Sequence, residues 1–177
     1  VSLVAVFNES LDSTSAADQN NYSIQGITIL SATSISPLFE QVVIKLGSAF
    51  QRQTVYELIV NNNKDCKGNL VGINNKAKAG IAEKALPKDV VINEILFDPK
   101  PNAFDYVELL NTGKKILDGS QLFIANRNSS GAISSAKKFS ETPFYIFPGD
   151  HVVLTENIHS LQSEYLAKQP SNLWLVP

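Results

Sequence analysis

Short apolar runs separated by turn formers recur along this chain about every ten residues, the spacing of a β-sandwich rather than of long helices. Leu3 to Phe7 reads as a first strand. The polar stretch from Asn8 to Asn21, dense in Ser, Asp, Asn and Ala, predicts a loop or a single helical turn. Tyr22-Ser23-Ile24 is a short strand, and Gly26 separates it from Ile27 to Ala32. After a turn at Ser36-Pro37 come Val42 to Leu46 and Tyr56 to Val60. In the last of these Tyr56, Leu58 and Val60 share one face. Asn61 to Asn69 predicts a long turn, and Leu70 to Ile73 a closing strand.

Composition then changes. Residues 74–88 read NNKAKAGIAEKALPK. Ala and Lys favour helix, Gly80 interrupts it and Pro87 ends it. This segment is expected to be a linker with one short helix, between a module at 1–73 and another at 89–177.

The second module is built around Asp89 to Asn111. Val90 to Phe97 has apolar residues on both faces, with Asn93 and Glu94 among them, so it is expected deep in a sandwich. Asp98-Pro99 and Lys100-Pro101 close it, because proline has no N–H for a ladder. The chain returns through Asn102 to Asp105 into Tyr106 to Leu110. Gln121 to Asn126 predicts a strand, Arg127 to Lys138 a Ser/Asn/Gly-rich loop, and Phe144 to Phe147 a short apolar run. Pro148-Gly149-Asp150 turns into a strand at His151 to Thr155. Ile158, Leu161, Tyr165 and Leu166 have helical spacing, with Asn157 placed to cap. The tail to Pro177 reads as irregular, with Trp174 docked on a surface.

Two resemblances add to this pattern. Ile92-Asn93-Glu94-Ile95, Asp98-Pro99, Asp105-Tyr106-Val107-Glu108-Leu109 and Asn111 resemble the lamin-tail domain, an immunoglobulin-like sandwich also found in secreted bacterial proteins. Leu117-Asp118-Gly119, Leu122 and Phe147-Pro148-Gly149-Asp150-His151-Val152-Val153-Leu154 extend the likeness to about Val90–Thr155. The family pattern carries further strands after the Pro-Gly turn, where this chain departs from it. Phe7-Asn8-Glu9, Leu11-Asp12, Asn21-Tyr22-Ser23-Ile24, Val42 to Leu46, Tyr56 to Val60 and Asp65-Cys66-Lys67-Gly68-Asn69 resemble the bacterial Ig-like domain of surface-layer proteins. The resemblances imply an all-β chain, two Ig-like β-sandwich domains in tandem joined by a short Ala/Lys-rich linker. They imply spacer or adhesion roles, and for lamin-tail domains attachment to larger surface enzymes.

Composition narrows the function classes. The chain has 15 Lys and Arg against 17 Asp and Glu, a net charge of −2. Neither module is basic, so the electrostatic footprint of nucleic-acid binding is absent. No apolar run approaches the roughly 20 residues that span a bilayer. The chain starts at Val1 without an initiator methionine or signal peptide, as a processed or excised piece would. Its single cysteine, Cys66, excludes an internal disulfide and is expected as a small buried side chain; a reactive thiol or a bond to another chain is the alternative.

No Gly-rich phosphate loop, nucleophile elbow, zinc pair or EF-hand loop occurs, and no catalytic residues are expected. His151 and His159 lack a third ligand nearby. Glu94, Asp98, Asp105 and Glu108 are the best chemical candidate. As two carboxylates on adjacent strands and two at loop ends they could bind Ca²⁺, which takes six to eight oxygens; their bland reading is turn and lysine partners. Asp65 and Asn69 are a second, separate calcium candidate, although their turn needs both. Phe104, Tyr145, Phe147 and Trp174 could form a ligand platform or simply pack. Asn8-Glu9-Ser10, Asn21-Tyr22-Ser23 and Asn128-Ser129-Ser130 are chance matches to the N-glycosylation pattern.

These observations lead to the expectation of a non-catalytic bacterial module, secreted or at the cell surface, for adhesion, scaffolding or protein or ligand binding. Its expected partners are a protein or a surface glycan, or a second copy joined through an open sheet edge. No cofactor is expected other than calcium at the carboxylates above. The alternatives are an accessory region of a larger surface nuclease or phosphatase, and a carbohydrate-binding module.

Overall fold

A computed structural model of the chain describes residues 1–101, 103–165 and 172–175. Asn102, Leu166 and the last residues of the tail, Val176 and Pro177, lie outside the described residues. The protein is mostly β and divides into two compact units, Val1–Ile81 and Ala82–Pro177. No described helix is long and apolar enough to cross a membrane.

The first unit is sandwich-like. One sheet runs β1 (Ser2–Val6), β4 (Gln41–Leu46), β3 (Ile29–Ser34); the other runs β2 (Tyr22–Ile24), β5 (Tyr56–Val60), β6 (Lys76–Ala79). Alternation decides what is inside. Val42, Ile44 and Leu46 of β4 and Leu58 and Val60 of β5 point inward and form one core with Leu11, Tyr22 and Ile24. Each fully buried aliphatic side chain contributes about 1.5–3 kcal/mol. The polar stretch after β1 holds helix α1 (Ser13–Ala16), whose first turn is capped by Asp12. Hydrogen bonds from Ser15 hold the Asp12 carboxyl below its ordinary range.

Leu70 to Ile73 does not close the sheet. Leu70 makes a single bridge to Lys64, and Ile73 is 96% exposed. The open edge of β5 is taken instead by Lys76–Ala79, so part of the expected linker is a strand of the first unit. Its Lys-Ala alternation leaves charges on the rim, a common protection for an edge. Ala82–Glu83 forms β7, paired in parallel with β10 (Ile116–Asp118) in the second unit. The predicted helix is absent because these residues complete existing sheets.

The second unit contains a four-stranded sheet, a three-stranded sheet and a hairpin. The first is β15 (Leu173–Leu175), β14 (His151–Thr155), β9 (Tyr106–Asn111), β8 (Val90–Leu96). The second is β13 (Tyr145–Ile146), β10, β7. The hairpin is β11 (Phe123–Arg127) with β12 (Ile133–Lys138). Leu109, Leu117, Ile146, Val152 and Leu154 are buried in a shared core.

Three expectations are corrected here. β8 lies at the edge of its sheet, not deep inside: Ile92 is 61% exposed, Ile95 53% and Phe97 80%. A register shift between Ile92 and Glu94 also breaks the alternation that suggested two apolar faces. Residues 133–138 are strand rather than loop. The Asn128 side chain accepts from Ser130 N and Ala132 N, and Gly131 takes φ +80°, which turns the chain back on itself. The tail returns as β15, parallel to β14. As expected, Asn157 caps a short helix, α2 (Ile158–Glu164), by accepting from Ser160 N.

Candidate functional site

The four carboxylates assigned to calcium are divided by the fold. Glu94 and Glu108 are direct cross-strand partners on β8 and β9. Each already has a neighbour: the Tyr106 hydroxyl donates to Glu94, and Asn93 Nδ2 donates to Glu108 Oε1 at 2.6 Å. Partial burial, then the Glu94 carboxylate, pushes the Tyr106 phenol up to about 12. Asp98 follows β8 and is exposed; Asp105 immediately precedes β9. Among the described residues no group of three or more His, Cys, Asp or Glu side chains is placed to hold a metal ion. His151 Nε2 lies 4.0 Å from Glu108 Oε1, and His159 is exposed on α2.

The Asp65 carboxylate is occupied by its own turn. Oδ1 accepts from Lys67 N and Asn69 N, both at 2.8 Å, and Oδ2 from Asn69 Nδ2 at 2.7 Å. Those bonds, led by Asn69, hold its carboxyl below the ordinary range. Cys66, in the same turn, is exposed rather than buried; its Sγ lies 3.5 Å from Ser10 O.

The four aromatics do not form one platform. Trp174 on β15 stacks on Phe144, with ring centroids 3.6 Å apart. Tyr145 is half exposed and meets the buried Phe147 edge to face. Phe104 stands in a different place, at the rim of a cleft.

That cleft, about 670 Å³, opens between the four-stranded sheet and the hairpin. Its sheet wall carries Phe104 and Asp105, Val107 of β9, and Leu154 and Thr155 of β14 with Glu156 just beyond. Ile124 and Asn126 of β11 and Ser135 and Lys137 of β12 form the other wall. Asp105 and Glu156 both line this end of the cleft. Tyr106 pairs with Thr155 at the end of the ladder, and Asp105 and Glu156 are the next residues along the chain just outside it. Thr155 Oγ1 donates to Asp105 O at 3.0 Å and holds this corner. Asp105, Glu156 and Lys137 are exposed, and none has a charged partner among the described residues. The cleft volume lies in the ordinary range for ligand sites, about 300–1,000 Å³.

Sequence reasoning found Phe104 and Asp105 of this cleft and missed the opposite wall. Lys137 and Ser135 fall in the segment read as loop, and Glu156 becomes visible only once β9 and β14 are in register.

No protein-family model matches the chain, and no curated protein or solved structure matches it.

Proposed function

We propose that the chain is a non-catalytic module, secreted or displayed at a bacterial surface, of two Ig-like β-sandwiches in tandem. Its second unit binds a ligand in the cleft between the four-stranded sheet and the β11–β12 hairpin. The observation that carries this reading is that cleft. It is lined by apolar Val107, Ile124 and Leu154 and rimmed by charged groups that have no charged partner among the described residues. A small number of convergent polar groups around an apolar floor is the usual make-up of a recognition site. The resemblances to surface-layer Ig-like and lamin-tail domains support the extracellular placement.

The test is an amide-shift titration of the ¹⁵N-labelled chain against panels of peptides and glycans, with a parallel assay on nucleotide and phosphate-ester substrates. A ligand that moves the Val107, Ile124 and Thr155 amides supports the proposal. Turnover of a substrate by this chain alone overturns the non-catalytic reading.

A further inference from the structure

Resting on that binding role, we propose that the cleft receives an extended peptide segment of a partner protein that carries lysine or arginine side chains. The cavity itself is the starting point. Its floor of Val107, Leu154 and Ile124 suits aliphatic side chains, and Phe104 offers an aromatic rim next to Asp105. A cation close to an aromatic ring and a carboxylate is attracted by both.

The charges choose the sign of the ligand. Asp105 and Glu156 lie just beyond the same end of the β9–β14 ladder and both line the cleft, where their like charges oppose each other. A bound cation relieves that repulsion. The sequence of the second unit, residues 82–177, carries 9 Lys and Arg against 11 Asp and Glu; in the first unit the two classes balance. The net charge of this unit is therefore slightly negative and does not oppose a cation. Lys137 on the facing wall is the exception, and it can receive a ligand carboxylate or backbone carbonyl.

The shape of the wall favours a peptide. β12 is out of register with β11 between Ile124 and Asn126, where Ser135 takes φ +49°. Such a bulge leaves a residue outside the ladder and locally bends the strand that forms this wall. Asn126 adds an amide of the kind that bonds peptide backbones. A sugar platform calls for several exposed aromatic faces; Phe104 and Tyr106 are the aromatics of the cleft, and the Tyr106 hydroxyl is engaged by Glu94.

The experiment titrates the full chain with an acetylated, amidated peptide of alternating lysine and valine, and separately with its glutamate–valine counterpart, following amide shifts. The lysine peptide is expected to move cleft amides. Its affinity should fall roughly tenfold in the Asp105→Asn, Glu156→Gln double variant and rise in Lys137→Glu. Thermal melts establish that both variants are folded, and the opposite signs of the two effects separate charge recognition from general damage. Stronger cleft binding of the glutamate peptide, or an unchanged affinity in the double variant, overturns the cationic ligand and leaves a binding cleft standing. Shifts that avoid the cleft with both peptides overturn the peptide proposal, whereas the function reading falls only if the glycan panel avoids the cleft as well.

Discussion

Glu94 and Glu108 face each other across β8 and β9, a like-charge pair held by hydrogen bonds from Tyr106 and Asn93. Opposed carboxylates weaken a strand pair, and here the weakened pair includes the sheet's edge strand. Tyr106 is the stronger constraint, because its phenol must stay protonated to donate. Its ordinary value of 10.0 rises to about 12 in the folded chain. A raised value means that the folded state favours the neutral phenol. The stabilisation is complete below pH 10 and disappears as pH climbs toward 12. Tyr106→Phe should lose about 1 kcal/mol at neutral pH, and its stability should decline less steeply than wild type between pH 10 and 12. Urea unfolding across that range, with absorbance titration of the tyrosines, checks both; parallel curves for the two proteins would sink the assignment.

Asp89 makes the opposite kind of pH dependence. Its Oδ2 accepts from Lys115 Nζ at 2.9 Å and from Leu86 N at 2.8 Å, and both side chains of the ion pair are 17% exposed. Lys115, then the Leu86 amide, holds the carboxyl below its ordinary 3.8. A depressed value contributes stability that is whole above pH 3.8 and is lost as pH falls through the folded-state value. Asp89→Asn should lower the melting temperature at pH 7 and show a shallower acid limb than wild type. The difference between the two melting curves from pH 6 downward isolates this group from Asp12 and Asp65.

Local pattern was legible where burial alternated cleanly. β2, β5 and β14 fall where Tyr22-Ser23-Ile24, Tyr56 to Val60 and His151 to Thr155 were expected, and β4 differs by one residue. The Asn157 cap and the Asp65 turn were legible too, because side-chain chemistry sets both within a few residues. β6 and β12 were not. Lys76–Ala79 and Ile133–Lys138 have few strong strand formers, and the open edge of β5 or the Asn128 turn decides their conformation. β8 failed in the other direction: its apolar content is real, but nothing local says that its sheet ends there. The cleft was half legible for the same reason, since one wall depends on a hairpin closing at Asn128.

Gly119 has no room for a side chain. A Cβ placed there would lie 2.0 Å from Phe144 Cζ, and Phe144 in turn stacks on Trp174. Gly119→Ala must therefore push Phe144 off the indole. Overpacking of this kind costs about 1–3 kcal/mol, or roughly 4–8 °C for each kcal/mol in a unit of this size. Trp174 is the only tryptophan, so its emission reports the displacement directly. The variant should emit to the red of wild type while still folded. An unchanged spectrum with a lower melting temperature would mean that the strain is relieved elsewhere.

In the first unit the side chain of Asn63 is wholly buried, and its Nδ2 donates to Tyr22 Oη at 2.7 Å. Tyr22 Oη donates onward to Ala16 O at 2.8 Å. The hydroxyl thus satisfies a donor and an acceptor at once, linking α1, β2 and the turn after β5. Tyr22→Phe keeps the ring and its packing but strands both groups, and an unpaired buried polar group costs about 1–3 kcal/mol. Tyr56→Phe is the matched control, because the Tyr56 hydroxyl accepts Gln51 N near the surface, where water can replace it. Urea unfolding should place Tyr22→Phe clearly below Tyr56→Phe in stability. Equal losses would mean that water reaches Asn63 and Ala16 once the hydroxyl is gone, and that the chain of bonds does not tie α1 to the core.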